Sequence, residues 1–67
     1  MSRQCSVILA RLQNRLVSNE ELSGIALKYT SRISDLRKRE YDIRVVRRDY
    51  GTGLVWYGLF VNGKRVA

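Results

Sequence analysis

The chain has 67 residues, 45% of them hydrophobic and 28% charged, a composition that predicts one globular domain over residues 1–67 with a small core and no large enclosed active site. Thirteen Lys and Arg residues outnumber six Asp and Glu and give a net charge of +7, which favours a polyanionic partner, nucleic acid before anionic lipid. One cysteine and no histidine exclude an intramolecular disulfide, a Cys/His zinc site and a Ser–His or Cys–His nucleophile, so we expect neither an enzyme nor a metal or cofactor site.

The first predicted element is an amphipathic helix. Apolar residues recur at the i, i+3, i+4, i+7 spacing that forms one stripe on a helix, which predicts a helix over residues 3–13 that stops at Asn14. The segment "RLVS", residues 15–18, is expected to be a very short strand or an extended link. The expected core residues of this helix are Cys5, Ile8, Leu9 and Leu12.

A second, short helix is predicted to begin at Asn19, because Ser18 and Glu21 stand in the S-x-x-E relation of a capping box. In such a box the serine hydroxyl accepts a hydrogen bond from the backbone amide of the glutamate, and the glutamate side chain reaches back to the amide of the serine. The helix is expected to end near residue 26 or 27. Its expected buried residues are Leu22, Ile25 and Ala26.

A third helix is predicted over residues 31–39, with Thr30 or Ser31 as its N-cap. Tyr29, Ile33 and Leu36 have the spacing of a core-facing stripe. The outward face is then mostly short, polar and basic. It carries Ser31, Ser34, Asp35 and Lys38, with Thr30 and Arg37 on one flank and Arg32 and Arg39 on the other.

A strand with alternating side chains is predicted next, in "YDIRVVRR", residues 41–48. One of its faces should carry Tyr41, Ile43 and Val45, and the other Asp42, Arg44, Val46 and Arg48.

The loop "DYGTG" and the strand "LVWYGLF" complete a predicted hairpin. Trp56 and Tyr57 must lie on opposite faces of the second strand, and we expect Trp56 to be the core residue. The dipeptide Asn62-Gly63 is a strong turn signal, so the C-terminal residues are expected to fold back on this strand.

This order of elements predicts an α+β fold of the winged helix-turn-helix class, three short helices followed by a β-hairpin wing. Residues 28–48 hold eight basic and three acidic residues, which concentrates the charge on the third helix and the hairpin. We therefore expect binding to double-stranded DNA, with the helix reading bases in the major groove and hairpin arginines contacting phosphates. The expected DNA-contacting residues are Thr30, Ser31, Arg32, Ser34, Asp35 and Lys38 on the helix, and Arg44, Arg47, Arg48 and Tyr50 on the hairpin.

The motifs "RISDLRK", "YDIRVV" and "WYGL" resemble those of small winged helix-turn-helix domains common in phages and prophages, in which R-I-x-x-L-R leads through a glycine into Y-x-I. The resemblance spans about residues 17–59. It implies DNA binding and a role as a transcriptional regulator or an excisionase-like recombination accessory factor. The absence of an apolar run of roughly 20 residues and of a convincing signal peptide predicts a cytoplasmic, nucleoid-associated protein. Arg39-Glu40 stands where those sequences have glycine, so the left-handed C-cap that glycine favours is not predicted here.

Other interpretations of the same features remain open. Asp35 could form an ion pair with Arg32, Lys38 or Arg39 on the helix surface, and the arginines of the hairpin could serve as solubilising edge charges. The whole domain could instead be a protein-docking module whose "LFVNGKRV" tail pairs with the strand edge of a partner. RNA binding ranks lower, because no exposed aromatic pair on a sheet is expected. If DNA is the partner, a chain this short is expected to act as a dimer or a cooperative array.

Overall fold

The computed structural model describes all residues, 1–67. It contains three helices and a small antiparallel sheet, which confirms the α+β prediction. No helix is both long enough and apolar enough to cross a membrane. The elements are α1 (Arg3–Asn14), β1 (Val17–Ser18), α2 (Asn19–Ile25), α3 (Tyr29–Lys38), β2 (Asp42–Asp49), β3 (Leu54–Val61) and β4 (Lys64–Arg65).

The sheet is built around β3. Its strand order is β1-β3-β2, and β4 pairs with β3 as well. All pairings are antiparallel. The turn into β4 has positive φ at Asn62 (53°) and Gly63 (77°), as a type I′ hairpin turn requires. The predicted return of the C-terminal residues onto this strand is therefore confirmed.

One face of the sheet and the three helices enclose a single core. Every buried residue in it is apolar, and no buried side-chain polar atom lacks a partner. The predicted apolar stripes of the helices are confirmed, and the sheet adds Ile43 and Leu59. The core residues are Cys5, Ile8, Leu9, Leu12, Val17, Leu22, Ile33, Leu36, Ile43 and Leu59.

The first two helices begin where the sequence predicts. The hydroxyl of Ser2 accepts from the amide of Cys5 and caps α1, which runs one residue past the predicted end. The hydroxyl of Ser18 accepts from the amide of Glu21 at 3.1 Å and caps α2. The second half of the predicted capping box is wrong, because the Glu21 carboxylate binds the guanidinium groups of two α1 arginines.

The third helix begins at Tyr29, two residues earlier than predicted, and its N-cap is Lys28 without a side-chain hydrogen bond. The reason is tertiary. The Tyr29 ring packs against the core and meets the Tyr57 ring edge-on, with 6.4 Å between the ring centroids. These contacts hold Tyr29 in the first turn of the helix. Thr30 and Ser31 consequently lie inside the first turn, and their hydroxyls have no capping role.

The third helix ends in a left-handed residue although no glycine is present. Glu40 has φ of 72°, its amide donates to Arg37 O, and the amide of Tyr41 donates to Leu36 O. These two bonds are the pair that defines a Schellman motif. The left-handed C-cap is therefore present at Glu40 without the glycine that favours it.

The positive φ of Glu40 predicts a stabilising substitution. Glu40→Gly is expected to raise the free energy of unfolding by about 0.5–1 kcal/mol, since glycine adopts positive φ without a Cβ clash but loses more entropy on folding. For a domain this small the melting temperature should rise by roughly 2–8 °C. Glu40→Ala removes the same charge but keeps the Cβ, so an equal gain in that variant would contradict the explanation.

The alternation predicted for the first hairpin strand fails at a β-bulge. The register of β2 against β3 shifts between Val45 and Arg47, and the extra residue reverses the alternation beyond it. Arg48 pairs with Val55 and so lies on the helix-facing side, whereas Arg47 pairs with Trp56 and lies on the outer side. The predicted placement of Arg48 on the same face as Arg44 is therefore wrong.

Tyr57, and not Trp56, is the aromatic residue of β3 that packs against the core. Tyr57 pairs with Val17 of β1 and meets Tyr29 of α3. Trp56 is half-buried on the opposite face of the sheet, which no helix covers. Alternation required one of the two rings to face outward, and the register between β1 and β3 decided which.

Candidate nucleic-acid interface

The outward face of α3 is exposed and polar. Thr30, Ser31, Ser34 and Lys38 are all exposed, and none of their side chains forms a hydrogen bond or an ion pair within the protein. Three hydroxyl groups and one ammonium group are thus free to bind a ligand. The structure brings together these four predicted residues as one surface.

This helix is held rigidly against the sheet. Ile33 and Leu36 are buried beneath it, and the Arg37 guanidinium donates from Nε and Nη2 to the carbonyl oxygen of Ile43 at 3.0 and 2.8 Å. Sequence reasoning placed Arg37 on a solvated flank and missed this bond, since no local pattern indicates which carbonyl lies within its reach. Arg37 therefore ties the C-terminal half of α3 to β2.

Arg32 and Asp35 form an ion pair on the α1 side of the helix. Arg32 Nη1 lies 3.2 Å from Asp35 Oδ2, and Arg32 Nε donates to Gln4 Oε1 of α1 at 3.1 Å. Of the three partners considered for Asp35, the structure contains this one. Both side chains are partly exposed, so the pair contributes about 0–1 kcal/mol. The guanidinium of Arg32 is directed to α1 and away from the hydroxyl face.

The predicted basic residues of the hairpin are divided between the two faces of the sheet. On the helix-facing side, burial raises the pKa of the Tyr57 hydroxyl group, and Tyr29 raises it to a smaller extent. The positive charges of Arg37 and Arg48 lower this pKa. Arg48 lies on the same side of the sheet as Tyr57 because it pairs with Val55, two residues before the tyrosine in β3. The outer side carries Arg44 and Arg47 instead.

Both arginines of the outer side are engaged with neighbours. Arg44 donates from Nε and Nη2 to the two carboxylate oxygens of Asp42 at 3.0 and 2.7 Å. These bonds hold the pKa of Asp42 below its usual value and raise the pKa of Arg44. The guanidinium of Arg44 also lies over the Phe60 ring, and that of Arg47 lies over the Trp56 ring.

The hairpin loop is shaped by its own backbone and anchored to α2. Asp49 Oδ1 accepts from the Gly51 amide at 3.0 Å, and Gly53 has φ of 75°. Asn19 Oδ1 accepts from the Val55 amide at 2.9 Å and fixes the start of β3. Sequence reasoning missed this role of Asn19. Tyr50 lies at the tip of the loop with 89% of its surface exposed.

Most of the positive charge has no acidic partner. Four of the thirteen basic side chains form ion pairs with carboxylates, two with Glu21 and one each with Asp35 and Asp42. The unpaired cations lie near the N-terminus, on α3 and on the sheet. They are Arg3, Lys28, Arg37, Lys38, Arg39, Arg47, Arg48, Lys64 and Arg65.

No protein-family model, curated protein or solved structure matches the chain. The geometry of α3 and the hairpin is therefore the basis on which a function is proposed.

Proposed function

We propose that the chain is a winged helix-turn-helix protein that binds double-stranded DNA, with α3 as the recognition helix and the β2–β3 hairpin as the wing. The observation that carries the proposal is the uncovered face of α3, where Thr30, Ser31, Ser34 and Lys38 are exposed and unbonded. Short polar side chains allow a helix to approach base edges in the major groove, whose width is about 12 Å. Lysine and arginine supply the phosphate contacts.

The arrangement of the elements supports the same proposal. Helices α2 and α3 are joined by the short turn at residues 26–28, as in a helix-turn-helix unit. The hairpin follows α3 directly. Its second strand, β3, is the central strand of the sheet and pairs with β1, which precedes α2 in the chain. Arg37 ties α3 to β2, and Asn19 ties α2 to β3, so both helices of the unit are bonded to the hairpin.

The bulge selects which hairpin arginine belongs to this surface. Arg48 pairs with Val55 and so lies on the helix-facing side of the sheet, and we assign it a phosphate contact beside the groove that α3 enters. Tyr50 at the exposed tip is assigned to the wing contact. A surface this small covers few base pairs, so a role as a regulator or an excisionase-like accessory factor requires a dimer or a cooperative array on DNA.

A salt series tests the proposal. Binding of a fluorescent random-sequence duplex, measured by anisotropy, should weaken steeply with salt, with a slope of about −0.9 per phosphate contacted in a plot of log K against log salt. Arg48→Ala is expected to weaken binding to all duplexes alike and to flatten the slope by about 0.9. Ser34→Ala should instead change the preference between sequences selected from a random pool.

Arg47→Ala is the matched control, because Arg47 is the neighbouring exposed arginine on the other face of the sheet. It should leave duplex affinity within about twofold of wild type. Equal losses in both alanine variants would contradict the assignment of Arg48. Weak binding without a salt slope would contradict duplex binding as a whole and would favour a protein partner.

A further inference from the structure

The face of the sheet opposite the helices carries its own cluster of aromatic and basic side chains. Strand alternation places Trp56, Gly58 and Phe60 on this outer face, while Tyr57 and Leu59 face the core. We propose that the outer face binds single-stranded DNA by stacking its bases, on a surface separate from α3. This binding is additional to the duplex binding proposed above and rests on it only in taking DNA as the strand. The pair Trp56 and Phe60 on the sheet was not expected from the sequence, and it removes the reason for ranking RNA lower, so an RNA strand is included in the test.

Each of the two outer rings is covered by an arginine from β2. Arg47 Cζ lies 4.9 Å from the centroid of the Trp56 ring, and Arg44 Cζ lies 4.4 Å from that of Phe60. A guanidinium group over a ring presents a planar side to solvent and directs its N–H groups outward at the edges. Bases stack on arginine planes as they do on aromatic rings. The N–H groups of Arg47 have no partner within the protein and can bind phosphate, whereas Nε and Nη2 of Arg44 donate to Asp42. Each pair is a column that a base can extend.

The β-bulge brings both arginines to the same face. Arg44 is in register with Gly58, and Arg47 is in register with Trp56, although the arginines are three positions apart along the chain. In a regular strand, residues three apart lie on opposite faces. The extra residue at Val46 cancels that alternation and directs Arg47 outward, which is how bulges commonly re-aim a side chain.

Between the two columns the surface is apolar. A Cβ atom at Gly58 would lie only 2.8 Å from Val46 Cγ2 and 3.0 Å from Leu16 Cδ2, so these side chains fill the space above the glycine. Trp56 and Phe60 are four residues apart in a strand, about 13 Å. That separation leaves room for a further base over the apolar surface between the columns.

The charges of this face suit a polyanion. Arg47 and Arg65 have no carboxylate partner, and both are exposed on the outer side. The two acidic residues there are already engaged, Asp42 by Arg44 and Asp49 by the backbone of the hairpin loop. A strand that stacks its bases on the columns therefore meets two unpaired cations, whereas the one carboxylate without a cationic partner, Asp49, lies at the loop end of the face and accepts a backbone hydrogen bond.

Charge-conserving variants test the stacking. The double variant Arg44→Lys, Arg47→Lys keeps both positive charges but removes both planar groups. We expect it to bind a fluorescent oligothymidylate of about 15 nucleotides roughly tenfold more weakly than wild type in an anisotropy titration. Its affinity for a random duplex should stay within about twofold, because α3 and Arg48 are unchanged.

Arg39→Lys is the control, since Arg39 is exposed, unpaired and remote from the outer rings, and it should change neither affinity. Trp56→Leu gives a second variant and should lose single-strand affinity alone. Unchanged oligothymidylate binding in both outer-face variants would overturn the proposal, as would equal losses for duplex and single strand. Tighter binding of wild type to oligouridylate would overturn the choice of DNA. If wild type binds the single strand by these criteria but no duplex, only the function proposed for α3 is refuted.

Discussion

Leu36→Ala is expected to leave the protein mostly unfolded at 25 °C. Leu36 is completely buried between α3 and the rest of the core, and truncating a buried leucine costs about 2.7–5 kcal/mol through lost burial and the cavity that remains. A chain below about 70 residues draws roughly 3–5 kcal/mol in total from its core. One side chain therefore accounts for most of the stability, and far-UV circular dichroism with urea titration measures the loss.

Leu27→Ala is the matched control for this substitution. Leu27 lies in the turn between α2 and α3 with 97% of its surface exposed, so its truncation should change the free energy of unfolding by less than about 0.5 kcal/mol. Leu36→Met should retain the fold, because a swap that conserves volume costs under about 1.5 kcal/mol. If Leu36→Ala unfolds cooperatively with a free energy of unfolding within about 1 kcal/mol of the wild-type value, the described core is contradicted, because about 1 kcal/mol is the ordinary effect of a substitution.

Glu21→Gln is expected to lower the free energy of unfolding by about 1–2 kcal/mol at neutral pH. The Glu21 carboxylate joins α2 to α1 by accepting from Arg15 and, at 2.7 Å, from Arg11. Hydrogen bonding to Arg15 is the main reason why the pKa of Glu21 falls from 4.5 to about 2; burial acts against it, and Arg11 contributes less. The arginines are 43% and 52% exposed, so solvent screening leaves only part of the free energy that such a shift implies.

The pH dependence of this effect has a definite sign. A carboxyl group whose pKa is lower in the folded state stabilises the protein above its unfolded-state pKa and loses that contribution as the pH falls toward the folded-state value. The difference between wild type and Glu21→Gln should therefore be full above about pH 5 and shrink between pH 4.5 and about 2. Urea titrations at several pH values measure it. The exposed neighbour Glu20 forms no ion pair, so Glu20→Gln is the control, and a deficit independent of pH would contradict the ion-pair explanation.

Much of the fold was predictable because its signals are local. The capping hydroxyl of Ser18 lies within one helical turn of the amide it accepts from, and Asn62-Gly63 carries its turn geometry in two residues. The apolar stripes of α1 and α3 required only helical periodicity, and with them the exposure of Ser31, Ser34 and Lys38 on the opposite face of α3. These features depend on neighbours along the chain, which the sequence displays directly.

The misplaced features depend on contacts between distant residues. Tyr29 joins α3 because its ring meets Tyr57, 28 positions away, and Glu40 accepts positive φ because the chain must turn into β2. The sequence placed Arg37 on the flank of the outward face of α3, and only the fold brings the carbonyl oxygen of Ile43 within reach of its guanidinium group. None of these partners is visible in a window of neighbouring residues.

The sequence by itself determined the α+β class, the order of the elements, the excess of positive charge and the polar face of α3, because each follows from periodicity, caps or composition. Only the tertiary structure decided which arginines share a surface. The bulge at Val46 places Arg48 on the helix-facing side of the sheet and Arg47 over Trp56, and Tyr57, which pairs with the buried Val17 of β1, faces the core. The physical reason is the two-residue period of a strand, because one extra residue moves every later side chain of that strand to the opposite face of the sheet. The place of the extra residue in β2 depends on pairing with β3 and on packing around Gly58, where a Cβ atom would collide with Val46.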